Sequence, residues 1–396
     1  NMKFAHLSDC HLGGWRQPEM QALNAESFKI AIETCINEKV EFILFSGDLF
    51  DSAFPSIEVL KETFAEFKKL KDAGIKSFII AGSHDYSPSG KTFLEVLEKA
   101  GFCEICEYEL KENGKILLKP CLHNTYAIYG YPGKKSGLEI EDLKHIYIDD
   151  HYENDFRILM LHTTIDEVKG SLPIESINLK DVPKADYYAL GHIHIDFQQE
   201  INGKPVIYSG PIFPNNFKEL EELKYGRFYI IDVKGYLEIT KKEIKLKEIQ
   251  VFDFEIENSL TATQKIIEVM KHRDLKDKII LLKISGTLKQ GKTSDINFNE
   301  IESFLKEQKA YCFLKNTSKL ESEQIEFKMQ LQTTEMHEIE KILIRDYRKE
   351  NPSDFNEQIN SLMDGLSLEK QEGENTANFE SRLLSEVEKV FNIDLK

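Results

Sequence analysis

Five apolar runs, each ending in a polar knot of Asp or His, constrain this chain more than any other feature. They are KFAHLSDCH (residues 3–11), EFILFSGD (41–48), KSFIIAGSHD (76–85), RILMLH (157–162) and YYALGHIH (187–194). Apolar runs of this length, bounded by Gly and polar residues, read as buried strands. Each strand delivers ligand-type residues at its C-terminal end, the edge where the loops of an open α/β sheet form a crevice. Converging there, the five runs bring Asp9, His11, Asp48, His84, His162, His192 and His194 into one pocket. That collection of side chains predicts a metal site.

The spacing within the knots supports this. In Asp9-x-His11 and His192-x-His194 the two side chains lie at i and i+2, on the same side of an extended segment. Gly47 lets the backbone approach closely beside Asp48, a carboxylate placed to bridge two ions. Mixed carboxylate and imidazole ligands suit manganese, iron or zinc better than calcium. Each knot alone has an ordinary reading, since an Asp after a strand often caps a helix and a single His is more often hydrogen-bonded than metal-bound. Five at five strand ends leave that reading little room.

At 396 residues the chain exceeds one ordinary core, so two or three domains are expected. Over the first 245 residues, strands alternate with helical patterns at 22–38 (Phe28, Ile32, Ile36), from Pro55-Ser56 to Gly74 (Leu60, Phe64, Phe67, Leu70), and at about 91–100. The half from Lys115 to Lys242 is richer in strands and Gly turns. The prediction is an α/β fold, a two-sheet sandwich flanked by helices, over residues 2–245. Residues 249–318 then read as a small α+β domain with three strands and two helices, 319–334 as a linker, and 335–396 as a helical region. The last contains two amphipathic patterns, 336–350 (Met336, Ile339, Leu343, Tyr347) and 377–392 (Phe379, Leu383, Val387, Phe391). Such a pair suits either docking onto a partner or packing back as a terminal hairpin.

The net charge of −17 argues against a broad basic DNA-gripping face on this chain alone. It leaves room for a nuclease, because bound divalent ions add local positive charge and a partner can supply basic surface. No apolar run approaches a membrane span, and Met2-Lys3-Phe4 leads straight into the first strand, so a cytoplasmic protein is expected. The six cysteines include one C-x-x-C pair, Cys103 and Cys106, without the second pair of a zinc knuckle, and read as reduced structural thiols.

D-x-H, G-D, G-x-H-D, a later His, and G-H-x-H, in this order, resemble the calcineurin-like metallophosphoesterases over roughly residues 2–245. Within that superfamily, KFAHLSDCHLG, FILFSGDLFDSAFPS, IIAGSHD and YYALGHIH are similar to the double-strand-break repair nucleases of the SbcD/Mre-eleven type. The resemblance implies a DNA exonuclease and endonuclease holding two divalent metal ions, Mn2+ first, with Fe, Zn or Mg as the other choices. One ion would sit on Asp9, His11 and His194, the other on His162 and His192, with Asp48 between them. His84 would orient the phosphate and protonate the leaving oxygen, with Asp85 as its orienting partner. The resemblance further implies DNA and an SbcC/Rad-fifty-type coiled-coil ATPase as partners, the 249–318 unit as a cap and the C-terminal helices as the ATPase-docking region. A homodimer is implied too, its seam placed on Val59, Thr63, Phe67, Leu94 and Leu97, although core packing explains the same residues equally well.

The chain departs from the family pattern in four places. Ser83 stands where the family has a metal-binding Asn, Asp51 where many relatives have His, Thr163-Thr164 where Gln-Gly is usual, and Pro211 where Ser is usual. A Ser hydroxyl is shorter and a poorer donor than an Asn carbonyl, so a weaker second metal site is expected. Two further readings stand beside the nuclease: another metallophosphoesterase acting on small phosphodiesters or phosphoproteins, and a weakly active or non-catalytic scaffold.

Overall fold

The computed structural model describes residues 2–87, 90–152, 155–170, 173–322, 358, 361–362 and 376–391. The chain divides into two compact units, Asn1–Ser322 and Glu323–Lys396. In the first, two six-stranded sheets face each other. One runs Leu237–Ile244, Gly226–Val233, Met2–Leu7, Phe42–Ser46, Lys76–Ile80, Glu104–Ile105. The other runs Phe197–Ile201, Lys204–Tyr208, Tyr187–Gly191, Phe156–His162, Tyr126–Tyr131, Cys121–His123. The five site-bearing strands pair in parallel with their neighbours, except where Met2–Leu7 meets Gly226–Val233.

The apolar runs are continuous because these strands are covered on both faces. Phe4, Phe42, Leu44 and Phe78 point between the sheets, against Tyr126, Ile158, Met160 and Tyr187 of the opposite sheet. Ala5, Ile43 and Phe45, one residue out of phase, point to the helices. The period of two along a strand produces this division. Phe4 stacks on Phe42 with ring centroids 5.1 Å apart, and each such fully buried ring contributes about 1.5–3 kcal/mol of transfer free energy.

Helix Pro18–Asn37 starts four residues before the predicted 22, with Pro18 in its first turn. Helix Ile57–Asp72 starts under a Ser56 cap, whose Oγ accepts from Val59 N at 3.3 Å. The third helix is shorter than the predicted 91–100, at Leu94–Lys99. Ahead of it, Tyr86 bridges Thr92 and Ser87 N donates to Lys91 O. The residues proposed as a dimer seam are core: Phe67, Leu94 and Leu97 are fully buried in this one chain, with Phe67 packed on Phe28 and Phe45, and Thr63 is buried as well. The fifth residue of that set, Val59, is partly buried against the same core.

Beyond the sandwich, strands Ile249–Glu255, Ile279–Leu288 and Cys312–Ser322 form a parallel three-stranded sheet packed on helices Ala262–Lys271 and Phe298–Glu307. Its last strand runs to Ser322, into the stretch read as linker, because Leu288 pairs with Ser322 at the far end of the ladder. A separate cluster joins this sheet to the sandwich, with Trp15, Met20, Phe213 and Leu220 against Ile279, Leu281 and Leu314. Of the two C-terminal patterns, 336–350 lies outside the described residues. The other is the helix Thr376–Phe391, on which Phe379, Leu383 and Val387 are half-buried. Among the described residues no helix is long and apolar enough to cross a membrane.

Candidate metal centre

The strand ends are zipped together beyond the sheets. Asp9 N donates to Gly47 O and His11 N to Asp48 O, each at 3.0 Å, so the first two loops run side by side past their strands. To place side chains there the backbone takes left-handed conformations at Asp9 (φ 51°), His11 (φ 42°), Asp48 (φ 50°) and His192 (φ 94°). Each costs of order 1–3 kcal/mol outside glycine, and such strain gathers where function demands it. Two glycines make the approach sterically feasible. A Cβ on Gly47 would lie 2.1 Å from His162 Nδ1, and one on Gly82 would lie 2.2 Å from Asp48 Oδ1.

Among the described residues three overlapping groups of ligand atoms result, each with all atoms within 4.8 Å of one another: Asp9, His11 and His194; Asp9, Asp48 and His162; and His11, Asp48 and His84. Asp48 Oδ2 is 3.1 Å from His162 Nε2 and 3.6 Å from His11 Nε2, and Asp9 Oδ1 is 3.6 Å from His194 Nε2. The two carboxylates are buried. Burial opposes their charge, but the imidazoles outweigh it: His194 holds Asp9, and His162 holds Asp48, well below the usual carboxylate range.

The outer nitrogens of the rings show what belongs inside. His11 Nδ1 faces Asp51 Oδ1 at 3.0 Å, His194 Nδ1 faces Glu219 Oε1 at 2.8 Å, and His162 Nδ1 faces the Ser46 carbonyl at 2.9 Å. All three partners accept only, so each Nδ1 carries the hydrogen and each Nε2 lone pair points into the pocket. There the Nε2 atoms of His11 and His194 lie 3.1 Å apart, and His162 Nε2, buried without a hydrogen-bond partner, faces the Asp48 carboxylate. Lone pair against lone pair is repulsive unless a cation stands at the junction. The residues therefore fit divalent metal, with protons as the alternative occupants.

Six of the seven Asp and His residues read from the sequence meet in these groups. The seventh, His192, donates its backbone N–H to Asp9 Oδ1 at 3.0 Å, and its ring stands edge-on to His162 at 5.1 Å, outside the three groups. Burial and the neighbouring His162 lower its pKa to about 4, so its nitrogens stay neutral and open to a cation. Ser83 and the exposed His84 lie on the loop after Lys76–Ile80, at the mouth of the pocket. His84 N donates to Asp48 Oδ1 at 2.8 Å and its Nδ1 to the Asp51 carbonyl at 2.9 Å.

Asp85 is not the orienting partner of His84. It is buried, and its carboxylate accepts from Leu49 N, Phe50 N and Gly82 N, binding the loop after the third strand to the loop after the second. The residues that do orient the imidazoles were missed. Glu219 sits in helix Phe217–Leu223, a run rich in Glu that reads as a solvated face. Its one sequence signal is Asn216 three residues earlier, which caps the helix by accepting from Glu219 N at 3.0 Å. Leu220 anchors that helix in the seam with the three-stranded sheet, and Glu221 pairs with Lys283 across it.

Residues 2–196 match the calcineurin-like phosphoesterase family. The chain carries a calcineurin-like phosphoesterase domain. Relatives of this chain include the DNA double-strand break repair protein Mre11 of Archaeoglobus fulgidus, 25% identical over 311 residues that cover 72% of this chain and 69% of the relative. The Mre11 of Methanocaldococcus jannaschii is 28% identical over 286 residues, 69% of this chain and 75% of its own. That of Sulfurisphaera tokodaii is 34% identical over 215 residues, 51% of each chain.

Proposed function

We propose that this phosphoesterase is a metal-dependent DNA nuclease of double-strand-break repair, hydrolysing phosphodiester bonds. The observation that carries the reading is the inward convergence of imidazole Nε2 atoms on two buried carboxylates, with His84 at the rim. Asp9, His11 and His194 hold one ion in this reading, His162 and His192 the other, and Asp48 serves both. When bound, two such ions act as Lewis acids on phosphoryl oxygens and lower the pKa of a water. The mixed donor set favours manganese, with iron, zinc or magnesium as the other choices.

The chain's own groups supply the rest. The Asp51 carbonyl fixes the Nδ1–H of His84, so the proton in play is on Nε2, where an imidazolium at the pocket mouth can pass it to a leaving oxygen. Asp51 and Glu219 keep His11 and His194 turned inward, and Asp85 keeps the two loops together. The names of the Mre11 relatives support DNA repair as the setting. With a net charge of −17, grip on DNA would come from bound metal and from a partner, for which a coiled-coil ATPase docking on the C-terminal helices is the proposal. In the same reading residues 249–318 act as a cap, 319–334 as the linker and 335–396 as the docking region.

The test is digestion of an end-labelled duplex and a single strand with added manganese, comparing this chain with Ser83→Asn and His84→Asn. Cleavage by the chain, abolished in His84→Asn and increased in Ser83→Asn, supports the nuclease with a weak second ion. Absence of cleavage by all three, with hydrolysis of bis(p-nitrophenyl) phosphate retained, turns the reading to a phosphodiesterase of small substrates. Absence of both activities leaves the scaffold.

A further inference from the structure

We infer that the cavity beside His84 is a nucleoside subsite, in which Phe54 stacks a base and Lys135 holds an adjacent phosphate. The inference rests on the nuclease reading and names what that site grips besides the scissile bond.

The cavity measures about 440 Å³ and opens on the exposed side of the metal centre. Its walls come from three loops: Asp51 to Phe54 after the second strand, Ser83 to Tyr86 after the third, and Lys135 after Tyr126–Tyr131. Phe54 is 71% exposed, among the most exposed large apolar side chains described, and it makes no ring contact among the described residues. Its ring lies open to solvent at the edge of the cavity that His84 also lines.

Phe54 is also held in place. Its N–H donates to Ser52 Oγ at 3.2 Å, Pro55 follows, and Ser56 caps the next helix. An aromatic ring presented from a fixed loop suits base stacking, which any base satisfies with its π-face.

Lys135 adds the charge. Its neighbour Lys134 is committed to Asp142 and packs over the Tyr131 ring, whereas Lys135 makes no ion pair among the described residues. The acid that shares the cavity, Asp51, is engaged with His11. In a chain of net charge −17, an unpaired ammonium at the mouth of a phosphoesterase pocket has a phosphate as its natural counterpart. An aromatic face and an ammonium lining one cavity with His84 together match a nucleotide. A phosphoprotein offers the phosphate without the base.

The test compares a short single strand with the same strand carrying tetrahydrofuran in place of the nucleosides nearest the cut. We expect this chain to cleave the base-bearing strand with about tenfold higher kcat/KM, mainly through KM. Phe54→Ala should erase that ratio and Phe54→Trp should keep it, since stacking on an aromatic contributes of that order per base. Lys135→Gln should raise KM for both strands. A readout independent of turnover is quenching of 2-aminopurine in a trinucleotide by the metal-free chain, expected here and lost in Phe54→Ala. An unchanged ratio and unchanged quenching in Phe54→Ala overturn the subsite. So does a fall on both strands accompanied by a change in sedimenting mass, which makes Phe54 a contact between copies. If the chain cuts neither strand, the nuclease reading fails by itself, and the quenching still decides whether Phe54 stacks a base.

Discussion

Metal entering the centre has to displace protons, and the geometry says how many. Burial lowers the basicity of His162, but the Asp48 carboxylate 3.1 Å away, with Asp9 beyond it, outweighs burial and carries the ring up to about 9. Burial opposes His194 too, and Asp9 together with Glu219 raises it to about 11. Near neutral pH both rings are therefore imidazolium in the metal-free chain, with protons standing at the junctions where cations fit. A ring must be neutral to bind metal, so each cation expels about one proton and its apparent affinity rises about tenfold per pH unit. At His162 that slope flattens above about 9, while at His194 it continues through the working range.

Stability without metal runs the other way. The folded pKa of His162 exceeds the ordinary 6.5, so its contribution is full below 6.5 and is lost as pH rises through about 9. The metal-free chain should thus melt at lower temperature as pH climbs across that window, while the metal-loaded chain gains affinity. The assay is calorimetric titration of manganese into metal-free chain near neutral pH, in buffers of different ionisation enthalpy. About two protons should be released in total, and about one fewer in His194→Gln. A heat independent of buffer, or an affinity flat between pH 6.5 and 9, refutes the argument.

Two further substitutions separate holding the ligands from holding the fold. Glu219→Gln keeps the size of the side chain but sets an amide where one oxygen takes His194 Nδ1–H and the other takes Asn215 N–H, so metal affinity should fall about 10- to 100-fold with little change in the melting temperature of the metal-free chain. Competition with a metal-binding dye reads this directly. Asp85→Ala strips the acceptor from three backbone N–H groups, two of them in the Leu49-Phe50 turn, and each buried orphan costs about 1–3 kcal/mol. Chemical denaturation should show a loss of about 3 kcal/mol or more, and an unaltered midpoint would return Asp85 to a role in chemistry.

The strand ends were legible because three demands coincide in the sequence: burial on both faces makes the apolar run, the sheet edge makes the knot, and close approach demands Gly47 and Gly82 beside the ligands. What orients the ligands was not. Glu219 is 25 residues from the imidazole it holds, on a helix whose register is set by Leu220 in the seam with the three-stranded sheet, and no local pattern encodes that. Asp85 was misread for a related reason. Adjacency in G-S-H-D suggests a pair, but neighbours in an irregular loop point apart, His84 outward and Asp85 into the backbone of the next loop. Phe67, Leu94 and Leu97 carry a stripe that suits a dimer seam or a core, and only the packed structure, with Phe67 against Phe28 and Phe45, assigns it to the core.

The central claim is that the pocket is built for two cations served by one carboxylate. Crystals grown with manganese and measured for anomalous scattering test it most directly. The account predicts two peaks, one among Asp9, His11 and His194 and one beside His162, with Asp48 between them and the Nε2 atoms of His11 and His194 no longer in mutual contact. Folded chain with no peak in the pocket at saturating manganese would contradict it.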